Sequence, residues 1–361
     1  MNTNNQKAFL ALVRAGLWEI ANDNHVFFKD VDWDVVYRLA SEQNVLGLVV
    51  AGLESLREKS DKNLIQNLKI PQELLLQMIG EVQMIEQQNK AMNGFIAKLI
   101  ERMRGADIYT LLVKGQGIAQ CYEKPLWRAS GDVDLLLSDS NYQKAKEFLL
   151  PLSSGNKPDE RYSKHLGMNI DQWYVEIHGT LRTGLSARID REVDDNQDAV
   201  FLGGNVRSWD NHCVQVFMPA PNEDVFFVFT HFIKHFYKEG MNIRQICDWC
   251  RLLFCYREKL DLQVLELRIK RAGLMSEWKA FAALAVEYLG MPVEAMPFYG
   301  VRSKKDEVRG KKLVEFILKG YTGSVARDTC QIAMIFPWKA ILYSPSIFLN
   351  VNWLKIKERL C

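Results

Sequence analysis

An α+β fold is what this sequence predicts: a small mixed β-sheet core flanked by N-terminal and C-terminal helical regions. Three observations predict it. Apolar residues recur at helical spacing through the first hundred positions. Short, dense apolar runs with β-branched residues replace that period between Asp107 and Met218. The helical period then returns after Pro219 and Pro221. The boundaries fall at 1–105, 106–220 and 221–361 in a chain of 361 residues, where length alone leads one to expect roughly two to three domains.

The elements follow in order. Phe9, Leu10, Val13, Leu17 and Ile20 mark a first helical face. Asp32 is placed to cap a helix carrying Val35, Val36 and Leu39, and a further apolar helix spans Val45 to Leu56. Pro71 suits the first turn of a long helix with Leu74, Leu75, Met78, Ile79, Val82 and Ile85 on one side. That face continues through Ile96, Leu99, Ile100 and Met103 and stops near Gly105.

Ile108 to Val113 reads as a buried strand, followed by Gly115, Gly117 and a short helix from Ile118 to Tyr122. Asp132 to Leu137 is the second strand. Ser138-Asp139-Ser140 then starts a helix over Tyr142 to Leu150. Residues 151–160 are a loop, Trp173 to His178 a third strand, and Val206 to Met218 one or two more. Beyond Glu223 come helices through Val225, Phe229, Phe232 and Phe236, then over 242–256, 260–272 and 274–289. The tail after Gly290 holds a charged, solvated turn from Arg302 to Lys312. Its apolar segments, Ile335-Phe336-Pro337 and Ile341 to Phe348, are expected to pack back onto the helical region.

Composition narrows the function classes. Apolar residues are 48% and charged residues 25%, which excludes disordered and fibrous chains. Lys and Arg number 46 against 44 Asp and Glu, too even a balance for a protein that grips a long nucleic acid. No apolar run approaches the ~18 residues of a transmembrane helix. The first apolar segment, Phe9 to Trp18, is broken by Arg14 and followed by Glu19, unlike a signal peptide. The seven cysteines are therefore expected as thiols in a reducing cytoplasm.

Chemistry concentrates in Leu112 to Leu137. Side chains two apart on a strand share a face, so Asp132 and Asp134 stand side by side while Val133 turns inward. Two such carboxylates need a cation between them or a shared proton. Hard oxygen donors of this kind suit Mg²⁺ (or Mn²⁺), completed by water and substrate phosphates. Asp-x-Asp alone is a weak signal: Asp30-Val31-Asp32 and Asp32-Trp33-Asp34 repeat it, but they precede a helical pattern and read as capping residues. Asp132 and Asp134 lead straight into Leu135-Leu136-Leu137, where unpaired carboxylates would be costly.

The order of motifs resembles the nucleotidyltransferase superfamily that includes DNA polymerase beta. More narrowly it resembles a family of uncharacterised bacterial nucleotidyltransferases. The residues that carry the resemblance are Lys114-Gly115, Tyr122, Arg128, Gly131-Asp132-Val133-Asp134 and Glu176-Ile177-His178, with His231/His235 and Arg244/Asp248 downstream. The resemblance implies an enzyme that transfers a nucleoside monophosphate from a nucleoside triphosphate to a small-molecule or protein acceptor. Catalytic and metal-binding roles fall to Asp132, Asp134 and Glu176, with one or two metal ions. Glu176 either completes the metal site or takes the acceptor proton. Nucleotide contacts fall to Lys114, Gly115, Gln116, Gly117, Arg128 and Ser130, and acceptor contacts to His178, His231 and His235. The Gly-Ser that usually opens the phosphate-holding helix is here Lys114-Gly115-Gln116-Gly117. Its glycines and amides allow close approach of phosphate, and Lys114 supplies charge. This departure leaves open the alternative of a nucleotide-binding module without turnover.

Other groups have plainer readings. His231, His235, Cys247 and Cys250 match no standard zinc spacing, and the two cysteines lie in an apolar helical pattern. Tyr122, Trp127 and Trp173 offer stacking surfaces for a base, but such residues more often fill core volume.

Overall fold

In the computed structural model, residues 4–18, 28–59, 68–154, 159–162, 164–238, 240–320 and 325–343 are described. Among these residues no helix is long and apolar enough to cross a membrane. Ile20 and residues 344–348 of the apolar tail lie outside the described residues.

The N-terminal region is helical as expected: α1 (Asn4–Trp18), α2 (Trp33–Glu42), α3 (Leu46–Lys59) and the 34-residue α4 (Gln72–Gly105). Asp32 caps α2 by accepting from the Asp34 and Val35 amides. Pro71 sits just ahead of α4, where its missing amide proton costs nothing. Helices α1 and α3 cross with backbones in close approach, because a Cβ on Gly16 would strike Leu48 O and one on Gly52 would strike Leu12 O.

The centre is a mixed sheet of β1 (Leu111–Val113), β2 (Asp132–Leu136), β3 (Asp159–Tyr162), β4 (His165–Ile170) and β5 (Trp173–His178) in the order β1-β2-β5-β4-β3. Only the β2–β5 pairing is parallel. The short α5 (Gly115–Ala119) and α6 (Asp139–Leu149) flank β2 in sequence, α7 (Ala187–Phe201) follows β5, and β6 (Val206–Asn211) pairs with β7 (Val214–Pro219) as a separate hairpin. One sheet face buries Val133, Leu135, Val175 and Ile177 against Met92, Ile96, Ile100 and Met103 of α4 and Tyr142, Ala145 and Leu149 of α6. The other face carries Asp132, Asp134, Glu176, His178 and His165 beside Leu111, Val113 and Leu136, which join the helical core.

Helices α8 (Pro221–Lys238), α9 (Ile243–Tyr256), α10 (Leu262–Ala272), α11 (Met275–Leu289), α12 (Lys304–Lys319), α13 (Val325–Ile335) and α14 (Pro337–Tyr343) complete the chain. Phe229, Phe232, Trp249, Trp278 and Phe281 interlock at ring-centroid distances of 4.8–5.6 Å. This core is continuous with Phe9, Leu12 and Val13 of α1, and Gln43 Nε2 donates to Ile317 O across the two ends of the chain.

Several expectations are corrected. The first strand is shorter than Ile108–Val113, because the turn leaving α4 is closed by the Ile108 amide on Met103 O. The short helix begins at Gly115 rather than Ile118. Of the loop expected over 151–160, residues 155–158 lie outside the described residues and β3 begins at Asp159. Strand β4 and helix α7 are further elements that the sequence pattern does not announce. Residues 304–319 are helix α12 rather than a turn: Ser303 and Asp306 form a capping box, and Leu313, Val314 and Ile317 supply a buried face that the charges mask in the sequence. Ile335 and Phe336 do pack back, Phe336 meeting Phe236 at 6.0 Å. Ile341 and Leu342 stay exposed, and among the described residues from 341 onward only Tyr343 is buried.

Candidate active site

The polar face of the sheet carries the site. Parallel pairing sets Asp134 opposite Glu176 and Asp132 opposite Tyr174. One oxygen from each of Asp132, Asp134 and Glu176 lies within 4.8 Å of the others. These carboxylates line a cavity of about 1150 Å³ that is also lined by residues of the 179–184 loop, α7, α8 and α9.

Lys114, at the end of β1, has φ 58° and ψ −148°, and Gly115 follows with φ 41°. That backbone region is nearly reserved for glycine and costs of order 1–3 kcal/mol for other residues. The lysine is nevertheless held there, with its Nζ donating to Asp134 Oδ1 at 2.8 Å. Burial opposes the ammonium charge, but Asp134 and Asp132 outweigh it and hold the Lys114 pKa above its ordinary value.

The carboxylates are not equivalent. Repulsion from Asp134, then burial, raises the pKa of Asp132. Burial also works to raise Asp134, yet Lys114 and a 2.8 Å hydrogen bond from His178 Nε2 hold it well below the usual carboxylate range. Glu176 is held down too, its burial outweighed by the His165 Nε2 contact at 3.1 Å and by Lys114. Burial keeps His178 and His231 toward the neutral form.

A second charged cluster stands beside the first. Arg128 donates through Nε and Nη2 to the two oxygens of Asp248, each at 2.7 Å, and through Nη1 to Ser130 Oγ. Tyr122 donates to the same Asp248 at 2.7 Å. Asp248 is thereby satisfied, and Arg244 Nη1 lies 3.9 Å from it. Burial and the neighbouring Arg128 depress the pKa of Arg244, which lines the cavity.

The sheet and helices thus bring together Lys114, Gly115, Arg128, Asp132, Asp134, Glu176, His178, His231 and His235. His231 and His235 share a 3.0 Å contact on α8. Gln116, Gly117 and Ser130 do not line the cavity. Gln116 Nε2 donates to Asn89 Oδ1 on α4, and a Cβ on Gly117 would stand 2.9 Å from Met218 Sδ. The three candidate stacking rings lie elsewhere: Tyr122 on Asp248, Trp127 on Glu86 and Trp173 against Phe95. Cys247 and Cys250 are buried core thiols.

Sequence reading missed His165, which β4 places directly opposite His178. It also missed Lys164, Arg182, Lys234 and Lys238, basic residues of the cavity wall. They fall on three stretches of chain, 164–165, the 179–184 loop and α8, and no short motif joins them.

A search of curated proteins found no match. A solved structure, described as the crystal structure of an antigenic nucleotidyltransferase-like protein from Paracoccidioides brasiliensis, aligns at 12% identity and a TM-score of 0.31. It covers 51% of this chain and 90% of that one, a likeness too weak to carry an argument. The family model described as uncharacterised nucleotidyltransferase matches residues 29–290, and the chain belongs to that family.

Proposed function

We propose that this protein is a metal-dependent nucleotidyltransferase: it moves a nucleoside monophosphate from a nucleoside triphosphate to a hydroxyl of a small molecule or protein and releases diphosphate. The observation that carries the reading is the convergence of Asp132, Asp134 and Glu176 on one cavity floor, in a chain of this family. Residues 106–220 supply the carboxylates and Lys114, and the flanking helical regions add Arg244 and the acceptor surface.

The donor set fits a hard divalent cation. Three carboxylates on one sheet face repel one another, as the raised Asp132 records, and an ion such as Mg²⁺ or Mn²⁺ would remove that repulsion. Asp132, Asp134 and Glu176 would hold it. When bound it would orient the triphosphate and neutralise charge building at the α-phosphorus.

The chain's own residues do the rest. Lys114 offers a point charge to the phosphates from the strained turn. Arg244, whose neighbouring carboxylate is already taken by Arg128, offers a guanidinium fork. Arg128 fixes Asp248 and the 128–130 segment rather than spending its fork on ligand. The acceptor oxygen forms a bond to the α-phosphorus, the bond to diphosphate breaks, and the acceptor proton passes to Glu176 or to solvent. His178 orients Asp134, and His231 and His235, which line the same cavity, are assigned to the acceptor.

A second reading is favoured by the Lys114–Asp134 ion pair, which neutralises a carboxylate that the ion would need. In that reading the chain binds nucleotide without turnover. Purified protein incubated with each nucleoside triphosphate, Mg²⁺ or Mn²⁺ and a cell extract separates the two. Diphosphate release that disappears in Asp132→Ala and Asp134→Ala supports the enzyme. Tight triphosphate binding with no release under any acceptor condition supports the binding module.

A further inference from the structure

The face that carries the carboxylates carries a second convergence of ligand atoms, on its β4 side. Antiparallel pairing of β4 with β5 sets His165 directly opposite His178. Their rings stack at 4.6 Å between centroids. Glu176, two residues before His178, projects from the same face of β5. One ligand atom from each of His165, Glu176 and His178 lies within 4.8 Å of the other two. All three residues line the cavity, so the group is open to solutes.

The finer distances suit a metal ion. His165 Nε2 is 3.1 Å and His178 Nε2 3.5 Å from the same oxygen, Glu176 Oε2. A tetrahedral ion with bonds of about 2.0–2.1 Å has edges of roughly 3.3 Å between its ligands, and the two contacts bracket that edge. Asp134 Oδ1 lies 2.8 Å from His178 Nε2 and is paired with Lys114, so it borders the group without belonging to it. Two imidazoles with carboxylate oxygens prefer borderline first-row transition ions to Mg²⁺.

We propose that His165, His178 and Glu176 form a transition-metal site of the Zn²⁺ class, beside the carboxylate site and sharing Glu176 with it. The two positions differ in donor chemistry: one offers three carboxylates, and the other two imidazole nitrogens and one carboxylate. Binding takes the Nε2 lone pair of both imidazoles, so each ring carries its proton on Nδ1. The site stands on this geometry alone and does not depend on nucleotide turnover.

Metal-free full-length protein titrated with Co²⁺, followed by visible absorption, tests it. Wild-type protein is expected to develop ligand-field bands of nitrogen-ligated cobalt that saturate, with Zn²⁺ displacing the cobalt. His165→Gln should weaken Co²⁺ binding by more than the roughly 10–100-fold that loss of an outer partner costs, while Asp132→Asn keeps the bands. Unaltered bands in His165→Gln, or no Co²⁺ or Zn²⁺ binding by wild-type protein, overturn the proposal. Wild-type protein gives a check free of folding artefacts. Zn²⁺ should move the ring-nitrogen NMR signals of two of the six histidines, and a titration that moves none of them also overturns it. Neither readout involves triphosphate, so the outcome is independent of the test of transfer activity.

Discussion

Lys114 Nζ lies 2.8 Å from Asp134 Oδ1, in a position where a divalent cation would also find that oxygen. An internal cation of this kind keeps a buried carboxylate ionised. Removing one partner of a buried pair leaves an uncompensated charge and costs about 3–5 kcal/mol. Lys114→Ala is therefore expected to lower stability by about 3 kcal/mol in metal-free buffer, and Mn²⁺ should restore more of the loss than it adds to wild type. Thermal melts with and without Mn²⁺ check this. Equal metal-induced shifts in the two proteins would contradict the shared position.

Asp132 is the strained member of the acidic set. Its raised pKa means that its charge is disfavoured in the folded state, so at neutral pH it works against folding. Asp132→Asn should leave the melting temperature unchanged or raise it, while reducing diphosphate release by about 100-fold or more, as expected for loss of a direct metal ligand. A clear loss of stability in this variant would contradict the electrostatic account.

The Arg128–Asp248 pair gives a pH dependence. Burial works against the Asp248 charge, but Arg128 and Arg244 outweigh it, so the folded-state pKa is lowered. A lowered carboxyl contributes stability that is fully present above its unfolded value of about 3.9 and is lost as pH falls through the folded value. Asp248→Asn should cost about 3 kcal/mol at pH 7, and the gap to wild type should narrow below about pH 4. Urea unfolding at both pH values measures it. A gap that widens in acid would reverse the sign and contradict the pairing.

Gly47 links the N-terminal helices to the site. A Cβ there would collide with the carbonyl of Trp127, one residue before Arg128. Gly47→Ala should shift the 126–130 segment, weaken triphosphate binding by about tenfold, and cost about 1–3 kcal/mol through overpacking. Calorimetric titration with a non-hydrolysable triphosphate, beside a thermal melt, tests both effects. Unchanged affinity would separate this contact from the site.

Much of the fold was legible because its signals are local. The Asp32 cap, the α4 face through Met103 and the strand that opens with Asp132 are each written within a few residues of their own positions. The acidic pair was legible for a related reason, since Asp132 and Asp134 sit two apart on a strand, whereas Glu176 is reached only through the family resemblance. Strand β4 escaped because His165-Leu166-Gly167-Met168-Asn169-Ile170 carries a glycine and two polar residues, and its partner, not its composition, makes it a strand. The resemblance implies a nucleotide contact for Arg128, and nothing near Arg128 in the sequence shows what its fork holds. Its actual acceptor, Asp248, lies 120 residues away and is brought close only by the packing of α9. Charged helix α12 looked like a turn because its buried Leu313, Val314 and Ile317 are diluted by lysines that face solvent.

The central claim is that Asp132, Asp134 and Glu176 bind divalent metal beside a nucleoside triphosphate. It is tested most directly by a crystal grown with Mn²⁺ and a non-hydrolysable triphosphate. An anomalous-scattering peak is expected within direct coordination distance of Asp132 and Asp134 oxygens, with the triphosphate next to it and near Lys114. Density for the nucleotide elsewhere, or no manganese at those carboxylates, would contradict it.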